Sequence, residues 1–218
     1  MSPLRRLLAC FALVAVLVPG AAAAAHAGSA QARDPEDQAR ARAMLLRKSD
    51  LLPGFVARGG ASGDDNLTRL QCPGIETAGV QPTGNASSPN FSRAPIFVSS
   101  HATLFGTAAE AGAVWSDFGS KAGRECLVKI LRRAFVGDGT LVSFRKTSFP
   151  RVGQRTLSFR VVAKVRGIPA YLDWVMVKHS RAIAIVLAGG ATTAVTREYV
   201  LALTKIVHGR MKTAMRGA

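Results

Sequence analysis

Of the residue types able to do chemistry in this chain, cysteine has the widest range, and there are three: Cys10, Cys72 and Cys126. A thiolate can attack, bind a metal or close a disulfide. Cys72 lies in "RLQCPG", directly before a Pro-Gly turn, and no two cysteines form a C-x-x-C. Arg5 and Arg6 precede the apolar run Leu7 to Val18, and "AHA" at Ala25 to Ala27 fits a small-x-small cleavage site. The run is shorter than the roughly 20 residues of a spanning helix. Residues 1–27 therefore read as a secretory signal peptide cleaved after Ala27, taking Cys10 with it. The two cysteines that stay, Cys72 and Cys126, are expected to pair in an oxidising compartment.

Enzyme motifs are absent. The sequence holds no G-x-S-x-G elbow, no H-E-x-x-H and no P-loop. After cleavage three histidines remain, His101, His179 and His208, and none is spaced as a metal ligand with another His, Cys or acid. Asp173 lies beside Trp174 in an apolar stretch, and its expected role is to pair with an arginine such as Arg160. No catalytic residue, metal or cofactor is expected.

Charge carries more information. From Gly28 to Ser120 there are 8 basic and 9 acidic residues, a balance of −1. From Lys121 to the end there are 19 basic and 4 acidic residues, a balance of +15. Such asymmetry points to an anionic partner or surface. The run "LSFRVVAKVR" sets Arg160, Lys164 and Arg166 on one side of a strand and Leu157, Phe159, Val161, Ala163 and Val165 on the other. With Lys146 or Arg145 from a neighbouring strand, they form the expected anion-binding face. A weaker candidate is the "GGATT" turn, with Gly189, Gly190 and Thr192 preceding a helix N-terminus. Phe159 and Trp174 belong to core faces, so the stacking platform of a nucleic-acid binder is missing and nucleic acid is not an expected partner.

These residues need elements to place them. Asp34 and Pro35 start a helix expected to reach about Lys48. Residues 59–92 are rich in Gly, Ser, Thr, Asn and Pro and are expected to form a long polar loop pinned by Cys72. Its three sequons, at Asn66, Asn85 and Asn90, are read as unmodified loop asparagines. "APIFVSSHATLF" predicts a strand, and Thr107 with Glu110 a capping box opening a helix. "RECLVKILRRAF" predicts a second helical piece, with Cys126 and Ile130 on one face and Lys129, Arg132 and Arg133 exposed. Strands are expected over Thr140 to Phe149, Leu157 to Arg166, Ala170 to Lys178 and Ala182 to Ala188. A last helix should run from about Ala194 to His208. Consecutive strands joined by short turns define an α+β fold, an antiparallel sheet of about 4–6 strands packed by helices. The expected division is a signal peptide (1–27), a leader (28–33), one domain (34–210) and a basic tail (211–218).

One family shares this order. "DLLPGF", a cysteine-bearing loop, "SSPNF", the strand and helix start "IFVSSHATLFGTAAEA", a Trp-bearing helix and then "GRECL" resemble the extracellular sensor-like domains of mycobacterial PknH-type kinases. They also resemble related actinobacterial exported proteins of the LpqN type. The resemblance covers about Ser49 to Arg210. It implies a PsbP/Mog1-like fold, a disulfide tying loop to helix, and ligand or partner sensing without catalysis. No kinase domain is expected in this sequence, and one possible disulfide stands where the kinase sensors have more, so signalling and ligand residues are not expected to transfer.

The expected function is thus a secreted, non-catalytic binding module. It would hold an anionic envelope polymer, a lipid head group or a small anionic ligand on its basic surface. The alternative is a protein-interaction or accessory wall module, and a hydrolase without recognisable motifs is the remote third reading. Oligomeric state is not legible. If the cysteine reading holds, thiol titration of the mature folded protein will find no free thiol, and two would overturn it.

Overall fold

Strict alternation in the C-terminal half produces long, neighbouring antiparallel strands. The computed structural model describes residues 34–60, 79–137 and 139–216. Among these residues eight strands form one sheet: β1 (Val56–Gly60), β2 (Pro82–Ser87), β3 (Pro89–Arg93), β4 (Ile96–Phe105), β5 (Gly139–Lys146), β6 (Arg155–Val165), β7 (Ile168–His179) and β8 (Ala182–Ala191). Their order is β1-β3-β4-β8-β7-β6-β5, with β2 also paired to β4, and each pairing is antiparallel. Among the described residues four α-helices accompany them: α1 (Pro35–Ala43), α2 (Ala108–Gly119), α3 (Lys121–Ala134) and α4 (Arg197–Ala214). The fold is α+β as expected.

The sheet is larger than the expected 4–6 strands because the polar stretch 59–92 is not all loop. Residues 61–78, with Cys72 and Asn66, lie outside the described residues, but β2 and β3 both fall within or overlap the rest. Their sequences "PTGNAS" and "PNFSR" hide their strand character, since few of these residues favour strands. They form because β4 offers an edge: β2 pairs with its second half and β3 with its first. Between them, Ser88 keeps the ladder closed, its N–H donating to Ser100 O at 2.8 Å and its Oγ accepting from Ser100 N at 2.9 Å. Asn85 sits buried in β2 rather than in a loop. Gly84 is needed there, since a Cβ would lie 2.3 Å from the Asp37 carbonyl oxygen of α1.

Helices cover both faces. On one, α1 and α4 pack through Ala41, Val200, Leu203 and Met211 against Val98, Ala102, Val175 and Val186. On the other, α2 and α3 pack through Trp115, Phe118 and Leu127 against Phe159, Trp174, Met176 and Ile185. A further cluster joins Leu131 and Phe135 to Val161 and Leu172. The two central strands β7 and β8 are thus buried on both sides, which explains their nearly continuous apolar sequences.

Local signals mostly act as written. Asp34 Oδ1 accepts from Glu36 N at 2.8 Å, and Thr107 and Glu110 form both arms of the capping box. The first helix ends at Ala43, before the expected Lys48, because Met44 and Leu46 turn into the core at 0 % and 2 % exposure. β5 stops at Lys146, short of Phe149. The last helix starts at Arg197 and runs past His208 to Ala214, so Met211 and Met215, placed in a basic tail by sequence, are core residues.

One ion pair ties the N-terminal helix to the sheet. The Arg181 guanidinium, in the β7–β8 turn, donates twice to the Asp37 carboxylate at 2.6 Å each, and Arg40 and Thr83 also donate to it. Arg181 further donates to Phe105 O at 2.8 Å. The hydrogen bond from Arg181 outweighs the opposing effect of burial and, with Thr83 and Arg40, brings the Asp37 carboxyl to about 2. A depressed carboxyl contributes stability that is whole above the ordinary carboxylate range and is lost as pH falls toward its folded value. Asp37→Ala is expected to lower urea stability by about 3–5 kcal/mol, as for other broken buried pairs. It should also flatten the wild-type loss of stability below about pH 4. An unchanged acid profile in the variant would show that another group controls it.

Candidate functional site: a basic groove between helix α3 and strand β5

Helix α3 begins at Ser120, whose Oγ accepts from Gly123 N at 2.9 Å. Gly123, Cys126, Leu127 and Leu131 face the sheet. Lys121, Arg124, Val128 and Arg132 recur at three- and four-residue steps along a flank of the helix and look toward β5. β5 is an edge strand, and Phe144 stacks on Phe159 at 4.9 Å, which anchors its end to the core. Between helix and strand lies a groove of about 590 Å³ lined by Lys121, Arg124, Lys129, Arg132, Arg145 and Lys146, with Glu125 its one acid. Arg124 is partly committed, donating to Gly119 O at 2.6 Å. Glu125 offsets little, because its pair with Lys121 is 3.9 Å long and both side chains are well exposed.

Of the five strand cations that the sequence offered, Arg145 and Lys146 line the groove, and Arg145 is also the cross-strand partner of Arg160. Arg160 stands on the other face of the sheet, toward α4, and its Nε and Nη2 donate to the two Asp173 oxygens at 2.8 and 2.9 Å. The pairing of Asp173 with Arg160 is therefore as expected, and it leaves Arg160 a compensated charge. That hydrogen bond raises the Arg160 pKa against desolvation. Lys164 is exposed on the same side of β6, and Arg166 occupies the β6–β7 turn at φ 51°. Alternation along one strand was legible. Which face the α3 cations would join was not.

Gly189 and Gly190 do not form a turn before a helix. Both are buried within β8, in register with Phe97 and Ile96 of β4 and with Leu172 and Tyr171 of β7. A Cβ at Gly189 would sit 2.0 Å from the Phe97 ring, so close packing explains the residue. Thr192 has φ 69°, and its N–H donates to Pro169 O at 2.8 Å. Arg197, not Ala194, opens the helix.

Two other residues that the sequence singled out for possible chemistry are buried in the fold. His101 is buried, with Ser87 Oγ 2.7 Å from Nδ1 and Thr103 Oγ1 3.2 Å from Nε2. Cys126 is buried and its sulfur is not free. No group of three or more His, Cys, Asp or Glu positioned for a metal occurs among the described residues. The sequence missed one juxtaposition: His179 and His208, from β7 and α4, meet edge to face at 5.3 Å.

Fold and groove together define an α+β domain built on a two-sided antiparallel sheet, with a basic groove at its edge. By sequence it matches no family model and no curated protein. Its fold is that of the extracellular domain of PknH from Mycobacterium tuberculosis, with 15% identity, a TM-score of 0.51, and coverage of 83% of this chain and 99% of that one. An uncharacterised protein from Mycobacterium smegmatis is also similar, at 12% identity and a TM-score of 0.43, over 80% of this chain and 98% of that one. The PknH-like fold expected from the sequence is thus observed. No helix among the described residues is long and apolar enough to cross a membrane.

The histidine pair predicts a pH dependence of the domain's stability. Desolvation lowers both pKa values, with Lys212 and Lys178 adding for His179, and His179 and Lys212 for His208. A histidine depressed in the folded state stays neutral while the unfolded chain takes up a proton, so stability is lost as pH falls below about 6.5. Urea midpoints should therefore drop between neutral pH and the mid-fives, and the double variant His179→Phe/His208→Phe should reduce that drop. An equal drop in the variant would assign it elsewhere.

Proposed function

We propose that the protein is an extracytoplasmic, non-catalytic binding module whose groove between α3 and β5 holds an anionic component of the cell envelope. The observation that carries this reading is six cations against one carboxylate around a single concave surface. Clustered cations with low-dielectric walls concentrate field and raise the local density of anions. A likeness of fold to an extracellular domain supports the location, as does the signal-like N-terminus. The aromatic at the groove, Phe144, is engaged with Phe159, which leaves no free platform for nucleobases there and favours a phosphate- or carboxylate-bearing polymer or head group.

The cysteine pair belongs to the same reading. Cys126 lies on the core side of α3, the helix forming one bank of the groove, and Cys72 is the other cysteine remaining after signal cleavage. A Cys72–Cys126 disulfide would hold the polar segment against that helix.

The test is retention on isolated cell envelope across a salt series. Lys129→Ser/Arg132→Ser/Lys146→Ser removes three exposed cations while leaving the core intact. At about 1 kcal/mol for each cation near an anionic surface, retention should fall on the order of 100-fold and its salt dependence should weaken. Lys164→Ser/Arg166→Ser, outside the groove, should leave retention unchanged. Salt-insensitive retention that survives the triple variant would overturn the groove and favour a protein-interaction module.

A further inference from the structure

We infer a second binding site, for a single acidic sugar unit, on the sheet face opposite the groove. A pocket of about 210 Å³ opens where the chain leaves β5, walled by Thr147, Ser148, Phe149 and Ser158, with Arg160–Asp173 and the start of α4 at Arg197 completing it. It is smaller than the roughly 300–1,000 Å³ of pockets for drug-sized ligands and suits one ring-sized unit.

The chemistry of its lining selects the ligand class. Asp173 is buried and held flat by the two bonds from Arg160. A carboxylate has about four lone-pair positions and a guanidinium five N–H donors, so two parallel bonds leave acceptors and donors unspent on both groups. The pair is close to neutral as a unit, yet it offers acceptors and donors at fixed spacing. That array suits adjacent hydroxyls better than a bare anion. Thr147 Oγ1 and Ser158 Oγ lie 2.8 Å apart and add a second hydroxyl pair. Phe149 supplies an apolar wall for ring C–H groups, and the Arg197 guanidinium sits over its ring, 5.9 Å from the centroid. Arg197 is exposed at the rim, where a ligand carboxylate would meet it. Hydroxyl-matching polar groups, an apolar wall and one rim cation together describe a hexuronate. The site stands whether or not the groove binds a polyanion.

Backbone amide chemical shifts of the mature chain can be followed as methyl glucuronide, methyl glucoside and acetate are added separately at millimolar concentrations. The glucuronide should move the amides of 147–149 and 197. The glucoside should do so about tenfold more weakly, the equivalent of one charge-assisted bond, and acetate should not. Ser148→Trp, at an exposed position, should fill the pocket and abolish the response. Arg197→Ala should bring the glucuronide down to the glucoside's affinity. The triple groove variant should bind the glucuronide normally, which separates this site from the groove. Acetate acting as strongly as the glucuronide, or no response of these amides to either sugar, would overturn the inference.

Discussion

Burial of β7 and β8 on both faces is the constraint from which the placement of every charge follows. In β8 only Leu187 and Ala191 escape full burial, and helices close over each side of the sheet. Apolar burial of this kind contributes roughly 25 cal/mol per Å², and an uncompensated charge in it is strongly unfavourable. A C-terminal half with 19 basic residues must therefore send them outward. Those that stay near the centre carry their own partner. Arg160 has Asp173, and Lys178, at 8 % exposure, donates to Ser180 O while desolvation lowers its pKa. Of the others, seven emerge on α3 and on the edge strand β5, and the groove lies where those two surfaces meet.

Arginine also does structural work at the ends of the sheet. Arg181 clamps Asp37, and Arg210 of α4 clamps Asp50 with bonds of 2.6 and 2.7 Å while also donating to Leu45 O. Each fork bridges segments far apart in sequence, using the planar two-bond geometry that lysine cannot provide. The basic excess thus includes forks spent on the fold and side chains that face solvent, the latter densest on α3 and β5. Net charge alone does not separate them, but the partners do.

Legibility in the sequence followed local physics. β6, β7 and β8 were readable because period-2 alternation, or an unbroken apolar run between turns, suits a strand and little else. α2 was readable because its capping box is written in two residues. β2 and β3 were not, since their stability comes from the edge of β4 rather than from their own residues. The site divides in the same way. Strand position singles out Arg145 and Lys146, and helical spacing places Lys129 and Arg132 in solvent. That this helix flank and that strand face a common groove depends on packing, which no single segment encodes. Gly189 and Gly190 mislead for a related reason: a glycine pair looks like a turn unless one knows that the Phe97 ring fills the space beside it.

The outer edge of β5 has a consequence for solubility. Among the described residues the ladder ends there, with a register irregularity between Leu141 and Ser143 and with Val142 55 % exposed. An edge of this kind is a template for another chain's strand unless something opposes it. Arg145 and Lys146 lie exposed on this edge, and charged side chains on an edge strand disfavour its pairing with another chain. Two of the cations that make the groove basic thus also guard the edge of the sheet, and neutralising them would take that guard away.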